Sequence, residues 1–308
     1  MKEIAKYKAI AMGIGVVLVF TLSYFLKDIS SRQVEENKGL TEAKEVERVV
    51  ALAPSTVEIL YALELGGKVA GVSRYTTYPL EALEKPKVGG YVDVDMEALV
   101  ALKPDLVILL MEQSQLEDKL KGMGIGTLKV KHMTVDGVLE SVRKVAERCG
   151  VKDKGILLEQ AMRQQMAEVV KVSEGKAKPK VLVSIGREVG TGKVRMLTAA
   201  GAQGIHQEMI GLAGGVNAYE GSVPFPQLNR EHLIMMNPDV IIDMVPQRDL
   251  DAVGEEKLLA EWQEFGELKA VKNGQVYVLG GDQYFVPGPR LVETLKRYAE
   301  MIHGGGHE

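Results

Sequence analysis

Short apolar runs alternate with amphipathic segments from residue 49 onwards. In the first part of the chain the apolar runs have the length of strands, and the segments between them carry apolar side chains at helical spacing. This alternation predicts parallel sheets with helices packed against them. The predicted strands are Val49–Ala53, Val69–Val72, Leu106–Leu110 and Leu128–Val130, and the predicted helices contain Val57 to Leu65, Glu97, and Gln115 to Lys121.

The pattern then changes to one long amphipathic helix over residues 154–174. Asp153 is the expected N-cap, Met162 and Met166 are among its apolar positions, and Gly175 ends the helix. A stiff helix in this place is expected to join two lobes by a single crossing, which would restrict how far they open and close.

The α/β alternation resumes after this helix. The predicted elements are a strand at Val181–Ile185, a helix from Gln203 to Gly214–Gly215, a helix with Glu231, a strand at Val240–Val245, a helix around Trp262, a strand at Val276–Leu279 and a last helix from Arg290. We therefore predict two parallel-sheet α/β lobes joined by a single long inter-lobe helix.

A repeated motif supports two similar lobes. Two segments, 134 positions apart, share the same spacing. They are Glu97-x-Leu99-x-x-x-x-Pro104-Asp105-x-Val107-Ile108 and Glu231-x-Leu233-x-x-x-x-Pro238-Asp239-x-Ile241-Ile242. Asp95 and Asn229 are the expected N-caps, so each lobe presents one glutamate in the first turn of a short helix. The alternative is that these glutamates only complement the helix dipole, which stabilises a helix by about 0.3–1 kcal/mol.

The N-terminus contains an uncharged stretch, residues 9–26, flanked by lysines. As a helix it would span about 27 Å, enough to cross a bilayer core. No A-x-A site and no cysteine follow it directly, so we interpret it as an uncleaved signal anchor that leaves the chain after Lys27 outside the cytoplasm. The alternative is a long, cleaved signal peptide. Both predict an extracytoplasmic protein, in the periplasm or at the cell surface.

These patterns divide the chain into six segments. They are a signal anchor or signal peptide at 1–26, a polar tether at 27–45, an N-terminal α/β lobe at 46–152, the inter-lobe helix at 153–175, a C-terminal α/β lobe at 176–303 and a tail at 304–308.

The composition and net charge of the chain disfavour some classes of partner. The 308 residues are 46% hydrophobic and carry a net charge of −4 with no basic stripe, which disfavours nucleic acid as a partner. The single cysteine, Cys149, precedes Gly150 at an apparent helix end, and an inert thiol is the expected state.

Loops after predicted strands hold a large share of the aromatic side chains of the chain. In parallel α/β sheets ligands collect at these loops, so we predict a flat or bulky ligand held by stacking and by arginine. The alternative is that each ring packs its loop onto its own lobe and that each arginine is a solvated surface charge. The aromatic candidates are Tyr75, Tyr78, Tyr91, Tyr219, Phe225, Tyr284 and Phe285, and the arginines are Arg74, Arg187, Arg195 and Arg290.

The stretches of this sequence that resemble enzyme motifs do not match them in detail. The stretch Gly186–Val194 has the wrong spacing for a phosphate-binding loop, so we predict a flexible loop there. His132, His206 and His232 have no ligand-type neighbour at metal spacing, and no catalytic triad is recognisable. We therefore predict neither a catalytic site nor a resident metal or cofactor.

Several short motifs in a fixed order resemble the substrate-binding proteins of ABC importers for iron chelates and vitamin B12. The resemblance covers residues 46–303. The motifs are Ala53-Pro54-Ser55-Thr56-Val57-Glu58, Gly71-Val72-Ser73-Arg74-Tyr75, Tyr78-Pro79, Val88-Gly89-Gly90-Tyr91, Leu102-Lys103-Pro104-Asp105, Gly214-Gly215-Val216-Asn217 and Val223-Pro224-Phe225-Pro226-Gln227.

The resemblance implies two lobes bridged by a long helix, with a metal chelate (ferric siderophore, corrinoid or haem) held in the cleft between them. It also implies that Glu97 and Glu231 dock onto the two permease subunits. Tyr75, Tyr91, Phe225 and Arg290 fall at positions that line the cleft in the vitamin B12 member. Phe225 and Tyr91 stand where tryptophans are expected there. The competing functions are a membrane-tethered sensor of the same fold and an exported α/β enzyme.

Overall fold

The computed structural model describes residues 45–304. The strands are β1 (Val49–Ala51), β2 (Val69–Val72), β3 (Leu106–Leu110), β4 (Gly126–Val130), β5 (Lys180–Arg187), β6 (Met196–Ala199), β7 (Val216–Asn217), β8 (Gln227–Asn229), β9 (Val240–Val245) and β10 (Val276–Gly280). The α-helices are α1 (Pro54–Ala62), α2 (Met96–Ala101), α3 (Ser114–Gly122), α4 (Val135–Arg148), α5 (Lys152–Ser173), α6 (Ile205–Leu212), α7 (Arg230–Met236), α8 (Gln247–Val253), α9 (Glu255–Trp262), α10 (Lys269–Lys272) and α11 (Leu291–Ile302).

The N-terminal half, before α5, contains a four-stranded sheet in the order β2-β1-β3-β4. Each neighbouring pair is parallel, which confirms the parallel sheet predicted from the alternation of strands and helices. The carboxyl ends of all four strands therefore lie at one edge of this sheet. The loops that follow those ends are the ones in which the sequence places Tyr75 and His132.

The C-terminal half, after α5, contains a sheet in the order β10-β9-β5-β6-β8, with β7 paired to β5. The strands β10, β9 and β5 are parallel, but β6 pairs antiparallel with both β5 and β8, so the expectation of a purely parallel sheet is wrong here. The reason is the connection from β5 to β6. Residues 188–195 are too few for a parallel crossover, which needs about a dozen, and Gly190 and Gly192 turn the chain back with φ of 76° and 79°.

Alternate residues of the strands face different parts of the core. Val49 and Ala51 belong to a large apolar cluster, whereas Val50 belongs to a smaller cluster on the other face of the sheet. In the C-terminal sheet Val181 joins the same large cluster, and its neighbour Leu182 faces a separate one around Trp262. Both sheets thus contribute one face to a continuous core, which also includes residues of α4, α5, α6 and α11.

The long helix α5 packs on α4 of the N-terminal half and on α6 and α11 of the C-terminal half. Its approach to α4 is close at Gly155, where an added Cβ would lie 2.4 Å from the Cβ of Ala146. The N-cap is Val151, without a side-chain hydrogen bond, so the prediction of Asp153 was wrong. Asp153 lies two residues after the N-cap, in the first turn, where its charge still complements the helix dipole.

Helix α4 was not among the predicted elements, although its end was. Cys149 is its C-cap and is buried, and Gly150 follows with φ of 76°. Burial raises the pKa of the Cys149 thiol, which fits the expectation of an inert side chain.

The predicted signal anchor at 9–26 and nearly all of the tether at 27–45 lie outside the described residues. Within residues 45–304, no helix has both the length and the apolar character that crossing a bilayer requires.

Candidate functional site

An ion pair joins the two halves at the carboxyl edges of their sheets. Arg290, the residue before α11, binds Glu58 of α1 through two contacts, Nη2 to Oε1 at 2.6 Å and Nε to Oε2 at 3.1 Å. Glu58 is buried, and burial raises the pKa of its carboxyl group, an effect that the hydrogen bond and charge of Arg290 oppose. Gly288 leaves room for this carboxylate, because a Cβ there would lie 3.0 Å from Oε2 of Glu58.

Tyr78 completes the surroundings of this pair. The guanidinium carbon of Arg290 lies 3.9 Å from the centroid of the Tyr78 ring, a cation–π contact. Arg290 is therefore bound edge-on by a carboxylate and face-on by an aromatic ring. It holds the two halves together here, in addition to any contact with a ligand.

Beside the ion pair is a cavity of about 260 Å³, which we call the cleft cavity. It brings together three predicted ligand residues, Phe225, Tyr284 and Phe285. The residues that line it are His132 and Met133 of the N-terminal half and Ile185, Ile205, His206, Met209, Phe225, Tyr284, Phe285, Val286, Pro287, Leu291 and Thr294 of the C-terminal half. None of them is Asp, Glu, Lys or Arg, so the wall favours an apolar ligand surface.

Two histidines in this wall were missed as site residues. His132 directly follows the carboxyl end of β4, and His206 lies in the first turn of α6. Burial lowers the pKa of both imidazoles, for His206 to about 4. The only signal in the sequence was the position of His132 after a strand, because neither histidine has a ligand-type neighbour along the chain.

Tyr75 and Tyr91 belong to the N-terminal half and do not line the cleft cavity. Both rings are exposed, Tyr75 by 57% and Tyr91 by 37%. Gly90 lets Tyr75 lie against the following loop, since a Cβ there would meet Cε2 of Tyr75 at 2.9 Å. The carbonyl of Tyr91 accepts a hydrogen bond from Nε2 of Gln113 at 2.9 Å, which fixes the loop after β3 against it.

Tyr219 does not line the cleft cavity. The neighbouring Ala218 N–H donates to the carbonyl of Val181, at the amino end of β5, whereas the predicted site lies at carboxyl ends. Tyr219 lines a separate groove beside α7, together with His232 and Met235. The structure therefore does not bring Tyr219 together with Phe225, Tyr284 and Phe285.

The interpretation of Arg187 as a ligand clamp was wrong. Its side chain is 1% exposed and binds Asp243 at 2.8 Å and Glu261 at 2.5 Å, close to the ring of Trp262. The predicted flexible loop after it is tied to the same carboxylate, because Gly192 N–H donates to Glu261 at 2.8 Å. These side chains serve the core of the C-terminal half.

Glu97 and Glu231 are exposed in the first turns of α2 and α7. The predicted N-caps are confirmed: Oδ1 of Asp95 accepts from Ala98 N–H at 2.9 Å, and Oδ1 of Asn229 accepts from His232 N–H at 3.1 Å. Exposed apolar side chains flank them on the same helices. These are Val100 on α2 and Ile234 and Met235 on α7.

Comparison with known proteins gives a consistent result. A family model described as periplasmic binding protein matches residues 49–283. An uncharacterized ABC transporter substrate-binding lipoprotein of Bacillus subtilis is 29% identical over 87% of this chain and 83% of its own length. A vitamin B12-binding protein of Vibrio parahaemolyticus is 28% identical over 85% of this chain and 92% of its own length.

Among solved structures, a periplasmic heme-binding protein in complex with two hemes superimposes with a TM-score of 0.72. It is 26% identical in sequence, and the match covers 84% of this chain and 98% of that protein.

Proposed function

Because the chain belongs to the periplasmic binding protein family, we propose that it captures a metal chelate between two lobes and delivers it to the permease of an ABC importer. The observation that carries the proposal is the cleft cavity, which lies between the carboxyl edges of the two sheets and is lined by Phe225, Tyr284 and Phe285. The chelate is a ferric siderophore, a corrinoid or a haem. Relatives named as vitamin B12-binding and heme-binding support these classes.

We assign the ligand contacts to two groups of side chains. The rings of the cleft cavity would stack on the ligand from the C-terminal half, and the exposed rings of Tyr75 and Tyr91 would cover it from the N-terminal half. Arg290 would contact a polar edge of the ligand while it remains paired with Glu58. Tyr219 was a predicted contact, but its separate groove supports no role in this site.

The two lobes would move little around the ligand. We give α5 the role of the inter-lobe helix predicted at residues 153–175, and its packing on helices of both halves supports this. The shared apolar core and the Glu58–Arg290 pair add further contacts between the halves. Wide opening would expose that core, at a cost of about 25 cal/mol for each Å² of apolar surface.

Glu97 and Glu231 would bind basic residues of the two permease subunits. In support, both carboxylates are exposed at capped helix ends, and apolar side chains lie beside them. Such a mixed surface suits a protein interface. The protein would be extracytoplasmic, held at the membrane by residues 9–26.

Two other functions would use the same fold. A membrane-tethered ligand sensor needs the cleft but not the docking glutamates. An exported enzyme would need a catalytic group at the cleft. The relatives named above are named as binding proteins, one of them of an ABC transporter, which supports a role without turnover.

Thermal shift of the full-length protein against cobalamin, cobinamide, haem and several ferric siderophores tests the proposal. We expect stabilisation by at least one chelate, and Tyr284→Ala should weaken binding by about 10-fold to 100-fold, because the ring loses about 1.5–3 kcal/mol of burial. Tyr219→Ala is the matched control and should bind normally. Silence across the panel, with a response to free zinc or manganese, would replace the chelate with a bare metal ion.

A further inference from the structure

A second polar contact joins the two halves. Oε2 of Glu208, on α6 of the C-terminal half, accepts a hydrogen bond from the N–H of Val135 at 2.7 Å. Val135 is the first residue of α4 in the N-terminal half. The N–H groups of a first helical turn have no partner within their helix, and the positive end of the helix dipole favours a carboxylate there. Glu208 therefore caps a helix that belongs to the other half.

The segment before this cap forms part of the cavity wall. Residues 131–134 connect β4 to α4, and His132 and Met133 are the residues that the N-terminal half contributes to the wall. The segment is held at its start by Ser141 of its own half, whose Oγ accepts from the N–H of Lys131 at 3.0 Å. Its other end is the point at which the contact from the C-terminal half arrives.

Helix α6, which carries Glu208, lines two separate spaces. Ile205, His206 and Met209 line the cleft cavity. Glu208 lies on a different face of the same helix and lines a groove between α5 and α6, together with Leu212. Glu208 thus reaches the N-terminal half without lining the cleft cavity. Any effect of this residue on ligand binding must act through the position of the wall.

The two polar contacts between the halves are reciprocal. In the Glu58–Arg290 pair the carboxylate belongs to the N-terminal half. In the contact with Val135 the carboxylate, that of Glu208, belongs to the C-terminal half. Arg290 directly precedes Leu291 of the cavity wall, and Val135 directly follows the segment that forms the wall on the N-terminal side. Each contact therefore anchors one part of the wall to the opposite half.

We propose, on the basis of the ligand capture proposed above, that Glu208 is a positioning residue for the ligand site. It holds residues 131–134 against α6 and so sets the width of the cleft cavity, and without it the ligand leaves faster. Glu208 is itself exposed, and α4 keeps a local cap, since Oγ1 of Thr134 accepts from the N–H of Gly137 at 3.0 Å. Replacement of Glu208 should therefore leave the fold intact.

Amide hydrogen exchange of the full-length protein tests the contact without any ligand. Glu208→Ala should raise the exchange rate in peptides covering residues 131–137 by about 10-fold, the factor expected when a hydrogen bond to a charged group is lost. Glu208→Gln should stay close to the wild type, because its amide oxygen can accept the same hydrogen bond. Glu300→Ala is the control, since it removes a helical glutamate whose ion pair with Arg297 stays within one helix.

Stopped-flow dissociation of cobinamide, ferric protoporphyrin IX and a ferric hydroxamate tests the role in binding. Glu208→Ala should release the bound probe about 10-fold faster than the wild type does, because the wall is no longer held at both ends. Glu208→Gln and Glu300→Ala should release it at the rate of the wild type. The rescue by glutamine shows that the hydrogen bond, and not the bulk of the side chain, sets the rate.

The outcomes separate this inference from the proposed function. Unchanged exchange of residues 131–137 in Glu208→Ala would overturn the inference. Raised exchange with unchanged probe release would also overturn it, because the contact would then serve the fold alone. In both cases the wild type still binds a chelate, and the proposed function stands. Failure of the wild type to bind any of the three probes would remove the proposed function and, with it, this role of Glu208.

Discussion

The Glu58–Arg290 pair makes a quantitative test of how the two halves are held. Glu58 is 4% exposed, whereas the side chain of Arg290 is 21% exposed. Removing the arginine therefore leaves a deeply buried carboxylate without its partner, which costs about 3–5 kcal/mol. Removing the glutamate leaves a cation that still reaches water, so its cost should be smaller. We expect Arg290→Met to lower the free energy of unfolding more than Glu58→Gln does.

The loss of unfolding free energy caused by Arg290→Met should depend on pH, and the direction follows from the pKa of Glu58. Burial already raises the pKa of Glu58, and loss of Arg290 raises it further, because the arginine is the group that lowers it. An acid with a raised pKa in the folded state destabilises the fold as pH rises through its ordinary value. The deficit should thus be largest near pH 7 and shrink below pH 4.5.

Urea unfolding of the two single variants and of Glu58→Gln/Arg290→Met measures these costs, and the double-mutant cycle gives the coupling. Arg187→Met, in the other buried ion pair, serves as the comparison within one half. A loss below about 1 kcal/mol for Arg290→Met, the size expected of a surface pair, would show that this pair does not hold the two halves together.

Three further predictions concern docking, pH and the N-terminus. The double variant Glu97→Ala/Glu231→Ala should keep its ligand affinity but lose uptake, because each lost docking contact should weaken permease binding by about 2–5 kcal/mol. Glu147→Ala is the control. Normal uptake by the double variant would leave these glutamates only their helix-dipole role. The free energy of unfolding should fall between pH 6.5 and pH 4, because the unfolded chain protonates His206 while the folded protein holds it neutral, and His206→Phe should remove that part of the pH dependence. Mature protein should retain residues 9–26 in the membrane fraction, whereas a soluble exported form beginning beyond Ser23 would show a cleaved signal.

The elements with strong periodicity were predictable from the sequence. Strands such as Leu106–Leu110 and Val240–Val245 are runs buried on both faces, and apolar composition indicates their bounds, apart from the buried Asp243 in the second. The caps Asp95 and Asn229 followed from local chemistry, since a short polar side chain before a helix accepts its free N–H groups. The same chemistry was not sufficient at Asp153, because α5 begins after Val151 instead.

The wrong predictions concern features that depend on contacts between residues distant in sequence. Arg187 had the pattern of a loop arginine, and only the fold brings Asp243 and Glu261 to it from β9 and α9. The antiparallel strand β6 is four residues long and too short to show periodicity.

The sequence indicated the type of side chain at the candidate site but not which residues share it. Tyr284 and Phe285 follow the carboxyl end of β10, as the sequence indicated, whereas Phe225 lies just before β8, and all three line one cavity. Tyr219 fails because it follows β7, which pairs with the amino end of β5, and strand direction is not visible in a two-residue strand. His132 and His206 were dismissed because a search along the chain cannot see a pair that the topology brings together.

Native mass spectrometry of the full-length protein after incubation with the chelate panel shows whether the chain captures an intact chelate. We expect a single adduct whose added mass equals one intact metal chelate per chain, weakened by Tyr284→Ala and unchanged by Tyr219→Ala. An adduct of a bare metal ion, or no adduct with any chelate in the panel, would contradict it.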